Sequence, residues 1–246
     1  MPLKFSLTAL PALLTGALLL GASLAHASDE QEDVTLQPMK LSYNASLDKG
    51  ISLNGDARRI LEQRDDGTWH FRTDVDSFVA DIDESLIFRW EDNQVVPLRY
   101  RYKLSGLFIR DREEAIDFDW ENNVVSGHHE GDKFSMKLEK GAMDPMGYQL
   151  QLSQDIKAGK REMEYRVIDK GDFDTDKFAV VDEETVRING DDIRTLKAEK
   201  VRDSDSKRES LMWFAPERDY LLIRFLQVEP DGSEYELTIS DARVGH

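Results

Sequence analysis

The chain has 246 residues, 49 Asp and Glu against 32 Lys and Arg, a net charge of -17, and no cysteine. So acidic a protein repels nucleic acid and anionic lipid headgroups, which argues against polyanion partners. Without cysteine there is no disulfide, no lipoprotein acyl attachment, and no zinc–thiolate, iron–sulfur, c-type haem or cysteine-nucleophile chemistry.

In chain order, the first segment joins Lys4, an apolar stretch from Phe5 to Leu20 and the small-residue ending Ala25-His26-Ala27. That is the pattern of a secretory signal peptide, residues 1–27, cleaved after Ala27, and it predicts a soluble periplasmic protein. No later apolar run approaches the roughly 20 residues of a membrane-spanning helix. Residues 28–38 are polar and acidic and read as a disordered lead-in; a single folded domain is expected over 39–243.

From Met39 onward, apolar residues recur at every second position. Leu41, Tyr43, Ala45 and Leu47 share one strand face; Phe71, Thr73, Val75 and Ser77 another; Leu98, Tyr100, Tyr102 and Leu104 a third. Asp65-Asp66-Gly67, Glu91-Asp92-Asn93, Asn122-Asn123, Glu130-Gly131-Asp132, Asn189-Gly190 and Asp231-Gly232 separate such runs with the residues that tolerate positive φ in hairpin turns. Roughly twelve to fourteen strands result, a mainly β antiparallel meander curled into a barrel or a pair of packed sheets. Phe88, Trp90, Glu91, Asn93 and Val95 are echoed by Phe118, Trp120, Glu121, Asn123 and Val125, which reads as one good hairpin turn used twice.

One segment departs from this pattern. Asp144-Pro145 is a helix start and Gly159 a helix stop, which predicts one short helix near 144–157 between the stretches 39–140 and 160–243. Met146, Tyr148, Leu150 and Leu152 also fit a period of two. Asp-Pro favours the helix.

Few constellations point to chemistry. His128 and His129 are adjacent, so on a strand they face opposite ways and cannot enter one site together; His70 stands alone between Trp69 and Phe71. Asp172, Asp174, Asp176 and Glu183 match part of a calcium-loop template, but Lys177 occupies its glycine position, and a solvated acidic loop is the simpler reading. No metal or cofactor is expected. The common nucleophile and phosphate-loop motifs are missing, and no carboxylate pair stands out among so many acids. The more suggestive pattern sets Arg99, Arg101, Lys103, Arg110 and Arg112 beside Tyr100, Tyr102, Phe108, Phe118 and Trp120. Tyr100, Tyr102, Phe118 and Trp120 are candidate ligand-binding residues if their face lines a barrel; otherwise they fill the core while the arginines pair with acids on the wet face.

Tyr43-x-Ala45 followed by Gly55-x-Ala57, Pro97-x-x-Tyr100 leading to Phe118-Asp119-Trp120, and Trp213-Phe214-Ala215-Pro216 with Arg224 recur in order. Together they resemble the domain of unknown function family 3108 over about residues 39–243. The resemblance implies a periplasmic protein of Gram-negative bacteria, a half-closed, many-stranded β-barrel, and no assigned catalytic residues. Trp213 reads as a core anchor. The expected function is non-enzymatic: a binding or accessory protein of the cell envelope taking a hydrophobic or glycan-bearing lipid or glycan component. The alternatives are a carboxylate-dependent hydrolase of an envelope polymer, marked by two facing acids in a cleft, and an interaction module without a small ligand, marked by an exposed apolar patch.

Overall fold

The computed structural model describes residues 34–49, 52–77, 80–107, 110–202 and 207–245. The expected signal peptide 1–27, residues 28–33 of the expected lead-in, and Phe108 lie outside the described residues.

A first antiparallel meander runs through β1 (Met39–Asp48), β2 (Ser52–Gln63), β3 (Trp69–Ser77), β4 (Ala80–Glu91), β5 (Gln94–Gly106), β6 (Arg112–Asp119), β7 (Val124–His129) and β8 (Asp132–Lys137). After the short β9 (Ala142–Met143) and helix α1 (Gly147–Lys157) comes a second meander. It comprises β10 (Glu162–Asp169), β11 (Asp172–Ile188), β12 (Asp191–Lys200), β13 (Glu209–Ala215), β14 (Leu221–Val228) and β15 (Glu234–Val244). β15 pairs with β1 from Met39 opposite Val244 to Asp48 opposite Glu234, so the two meanders share one sheet of 15 strands. The two-residue β9, parallel to β10, has no period that a sequence pattern reveals, which is one reason the strands outnumber those expected.

The sheet is barrel-like but not closed: β8 and β9 end the strand order without pairing to each other. Side chains bridge that seam. Arg166 on β10 pairs with Glu139 at 2.8 Å and stacks over Phe173 at 4.7 Å. Phe134 on β8 lies so close to Gly171 that a Cβ there would sit 2.9 Å from its ring.

The hairpins form where the turn residues stand. Asp92 and Asn93, Glu130 and Gly131, and Asn189 and Gly190 take consecutive positive φ, the geometry that matches the twist of flanking strands. Lys170 and Gly171 do the same between β10 and β11.

Helix α1 begins later than 144 but on the expected cap. Oδ1 of Asp144 accepts the N–H groups of Met146 and Gly147 at 2.9 and 3.0 Å, and Gly159 ends the helix at φ +89°. Met146 and Leu150 enter one apolar cluster with Phe71, Leu86, Phe88, Tyr100, Ile116 and Phe118. Leu152 and Ile156, on the other side of the helix, enter another with Tyr165, Phe178, Met212 and Phe214. The helix is thus buried on two sides and fills the space between the meanders. A further cluster gathers Tyr43, Ile188, Trp213, Ile223 and Ile239.

Of the expected lead-in 28–38, residues 34–38 are described, and parts of them are held against the domain. Leu36 is buried in the first cluster, and Trp90 Nε1 donates to the Val34 carbonyl at 2.7 Å. The buried Leu36 side chain, the Val34 N–H and carbonyl, and the Pro38 carbonyl, which accepts from the Gly245 N–H, anchor a segment whose composition is otherwise that of a solvated tail.

Candidate functional site

On β2, β4 and β6 an ionisable residue interrupts the apolar phase: Ala57-x-Arg59-x-Leu61, Ile82-x-Glu84-x-Leu86, and Glu114-x-Ile116-x-Phe118. The register aligns them. Arg59 stands opposite Thr73, Thr73 opposite Glu84, Glu84 opposite Tyr102, Tyr102 opposite Glu114, and Glu114 opposite His129. Because side chains alternate across a strand, this row shares the face that carries Leu61, Phe71, Leu86, Tyr100 and Ile116 one step along. A polar belt therefore crosses the inner face of the first meander.

Its members are satisfied unevenly. Tyr100 donates its hydroxyl to Glu84 Oε1 at 2.7 Å. Burial raises the Glu84 carboxyl, and the Tyr100 bond holds it down in part. Burial together with the Glu84 charge pushes the Tyr100 phenol well up, and Tyr102 moves the same way. Glu114, 4% exposed, is raised by burial and by the nearby Asp169 carboxylate, while His129 lowers it. His129 Nδ1 stands 3.6 Å from Glu114 Oε2, and Glu114 Oε1 has no hydrogen-bond partner among the described residues. At the other end Arg59, 7% exposed, stacks over Phe71 at 4.6 Å and donates to Thr73 Oγ1 at 3.3 Å and Gln149 Oε1 at 2.9 Å.

Two cavities matter. A narrow one of about 50 Å³ lies beside Arg59, between β1, β2, helix α1 and residues 35–37. A larger cleft of about 720 Å³ opens over β10 and β11, lined by Asp169, Asp174, Asp176, Lys177, Lys200, Arg202, Lys207 and Arg208 around Tyr148 and Val167. Lys200 pairs with Asp176 at 2.6 Å, and Arg208 with Glu229 at 2.9 Å. Tyr148 is held by stacking on Phe178, ring centroids 5.2 Å apart.

Tyr100, Tyr102, Phe118 and Trp120 do come together, in the first apolar cluster. Tyr100 and Phe118 are buried there at 2% and 6% exposure, Tyr102 and Trp120 half-buried against it. Phe118 stacks on Trp120, and Trp120 Nε1 donates to the Pro97 carbonyl at 2.6 Å. None of the four lines either cavity. The arginines beside them are solvent-exposed: Arg99 and Arg101 pair with Asp117, Arg110 and Arg112 with Glu130. Trp213 is 2% exposed, with Arg224 and Lys197 over its ring and its Nε1 donating to Glu184.

The acidic run lies on a strand, not a loop. Asp172, Asp174 and Asp176 alternate along β11, and Glu183, beyond the register shift after Val180, pairs with Arg194 at 2.7 Å. His128 and His129 face opposite ways, against Glu113 and Glu114 respectively. Among the described residues no three His, Asp or Glu side chains are grouped to hold a metal ion, and no helix is long and apolar enough to cross a membrane. Sequence reasoning passed over Arg59, Glu84 and Glu114. Their signal was an ionisable residue in phase with apolar neighbours.

The model of a family described as "Protein of unknown function (DUF3108)" matches residues 41–240. Among solved structures, the chain is similar to a β-barrel-like protein of the domain of unknown function DUF1849 from Brucella abortus. They share 11% identity at a TM-score of 0.60, covering 86% of this chain and 99% of that one. The likeness is one of fold. Two others overlap at a TM-score of only 0.24: a putative outer membrane lipoprotein-sorting protein domain from Vibrio parahaemolyticus, at 10% identity and covering 86% and 87% of the two chains, and a DUF1329 family protein from Desulfovibrio piger, at 12% and covering 85% and 86%. No curated protein matches the chain.

Proposed function

The chain belongs to the DUF3108 family of proteins of unknown function, and from its geometry we propose that it is an exported, non-enzymatic binding or accessory protein of the cell envelope whose ligand is glycan-bearing. The contrast between its two cavities carries this reading. An acyl chain needs a continuous apolar tunnel, whereas the apolar interior here is filled by its own side chains and leaves about 50 Å³ beside Arg59. Sugar hydroxyls need fixed donors and acceptors around an aromatic surface. The cleft of about 720 Å³ supplies carboxylates, ammonium and guanidinium groups around Tyr148. The net charge of -17 keeps a loaded protein apart from anionic surfaces.

The hydrolase alternative draws on Glu84 and Glu114, which flank Tyr102 on one face with raised pKa values. Carboxylate catalysis needs one acid protonated and its partner ionised. Burial moves both of these toward the neutral form, and neither lines the cleft; of the acids that do, Asp176 is paired with Lys200 and Asp169 with Lys170. The binding reading fits better. An interaction module finds less support, since the exposed large apolar residues among those described, Leu107, Val124, Val181, Val201 and Tyr235, belong to separate strands and turns.

Native mass spectrometry of the protein purified from its own periplasm, followed by identification of what unfolding releases, tests the proposal. A stoichiometric glycan or glycolipid that is lost in a Tyr148→Ala variant is expected. An unliganded mass that does not change on incubation with solubilised envelope glycans would overturn the reading.

A further inference from the structure

Arg59 carries a buried charge that no carboxylate contacts directly among the described residues; Glu84 feels it only at a distance. The residue is 7% exposed, yet it forms no ion pair among the described residues, and its guanidinium meets the Thr73 hydroxyl, the Gln149 Oε1 and the Phe71 ring. It also lies against the Tyr43 hydroxyl, whose pKa burial raises to about 12, so that group stays neutral. The next carboxylate along the row is Glu84, one strand beyond Thr73; it is already engaged by Tyr100, and burial shifts it toward the uncharged acid. A buried unpaired charge is destabilising unless something compensates it. The stack on Phe71 and neutral hydrogen bonds compensate only in part.

Beside this guanidinium lies the narrow cavity of about 50 Å³. One water needs roughly 10–15 Å³ of such space, so there is room for a group of a few heavy atoms. Beyond Arg59 the walls are apolar on one part, from Leu41, Leu61, Phe71 and Leu150, and polar on another, from Tyr43, Gln149, Ser153 and Gln154. Asp219 reaches the cavity as well, but Lys157 holds its carboxylate at 2.5 Å. A cationic fork in a small, partly apolar space is complementary to a carboxylate, whose short hydrocarbon stem the leucines and Phe71 can cover.

We propose that the Arg59 cavity is a binding site for one carboxylate group, borne by a short-chain organic acid or by the end of a larger molecule. This site is separate from the cleft around Tyr148 and does not depend on that cleft binding a glycan. Its boundary includes Thr35 and Gln37, so the segment leading into β1 forms one wall.

Calorimetric titration of the full mature protein with acetate, butyrate, dodecanoate, inorganic phosphate and the neutral analogue butanol tests the assignment. Butyrate is expected to bind more tightly than acetate, and butanol not at all. Arg59→Met is expected to weaken butyrate at least tenfold, while Lys200→Ala in the cleft leaves it unchanged. Dodecanoate binding no tighter than butyrate identifies a free short acid; tighter binding identifies the carboxylate end of an amphiphile. Should Arg59→Met not fold, the Arg59 Nε–H resonance of the unsubstituted protein decides. It shifts on adding butyrate and not on adding butanol if the assignment is right. No binding by any carboxylate, equal binding of butanol, undiminished binding by Arg59→Met, or preference for phosphate would each overturn it.

Discussion

Tyr100 on β5 donates its hydroxyl to Glu84 on β4 across 2.7 Å inside the sheet, and each group depends on the other for its protonation state. The carboxyl is raised by burial and lowered by this bond; the phenol is raised by burial and by the carboxylate. Tyr100→Phe removes the donor and leaves Glu84 Oε1 without it. A stability loss of about 1–3 kcal/mol is expected, the usual penalty for a buried acceptor that loses its partner. In a double-mutant cycle with Glu84→Gln, followed by urea denaturation at pH 7, the two substitutions should couple rather than add. Strict additivity would mean that the bond contributes nothing to the fold.

Asp144 predicts a dependence of stability on pH. Its carboxyl is fully buried, Oδ2 has no hydrogen-bond partner among the described residues, and burial raises its pKa from 3.8 to about 7 despite the N–H groups of Gly147 and Met146. An acid with a raised folded-state pKa binds more protons folded than unfolded over that interval. Its contribution is therefore fully present below about pH 4 and is lost as the pH rises through about 7, a change on the order of a few kcal/mol. Glu84 and Glu114 add terms of the same sign. Denaturant midpoints should fall between pH 5 and pH 8, and Asp144→Asn, which keeps the capping oxygen without the charge, should flatten that slope. An unaltered slope in Asp144→Asn would assign the pH effect to other groups.

Gln151 ties the helix to the first meander. Its Oε1 accepts the Val95 N–H at 2.8 Å, and its Nε2 donates to the Asn93 carbonyl and to Asp155 Oδ1, both at 3.1 Å. Gln151→Leu is close in size but leaves the buried Val95 N–H unpaired, so it should cost about 2–4 kcal/mol rather than the stabilisation an apolar substitution in a core often brings. Hydrogen exchange provides the local reading: the Val95 amide should lose protection before the rest of β5. Equal protection in the variant would show that water replaces the side chain at no cost.

Much of this fold was legible because its rules are local. Period-two alternation marks Tyr43, Phe71 and Tyr100 as inward-facing, and paired residues such as Asn189-Gly190 mark hairpins by the φ values they tolerate. The period-two echo of Met146, Leu150 and Leu152 within a helix has a physical origin: α1 is buried on two sides, so its apolar residues do not form a single stripe. The site was less legible, since the row from Arg59 to His129 depends on the register of six strands, which no single strand encodes. Aromatic enrichment pointed instead to Tyr100, Tyr102, Phe118 and Trp120, which the fold gathers into one cluster. Trp90 and Trp120, the paired tryptophans of the repeated hairpins, each spend their indole N–H on a backbone carbonyl.

Gly127 tests whether the inner face of β7 has any slack. It stands opposite Ile116 on β6 and Phe134 on β8. A Cβ there would fall 1.9 Å from the Ala115 carbonyl oxygen and 2.8 Å from the Phe134 ring. The first obstacle is backbone, fixed in the ladder between strands, so it cannot turn aside as a flexible side chain would. Gly127→Ala should therefore cost about 3 kcal/mol or more, the upper range for overpacking. Gly131, in the next turn at φ +93°, is the control, because a Cβ added there would meet no atom within 4 Å. Gly131→Ala meets only the left-handed backbone penalty of about 1–2 kcal/mol. Urea midpoints for the two variants should thus differ clearly, with Gly127→Ala the lower, and equal midpoints would mean that β7 can shift away from β6 without loss.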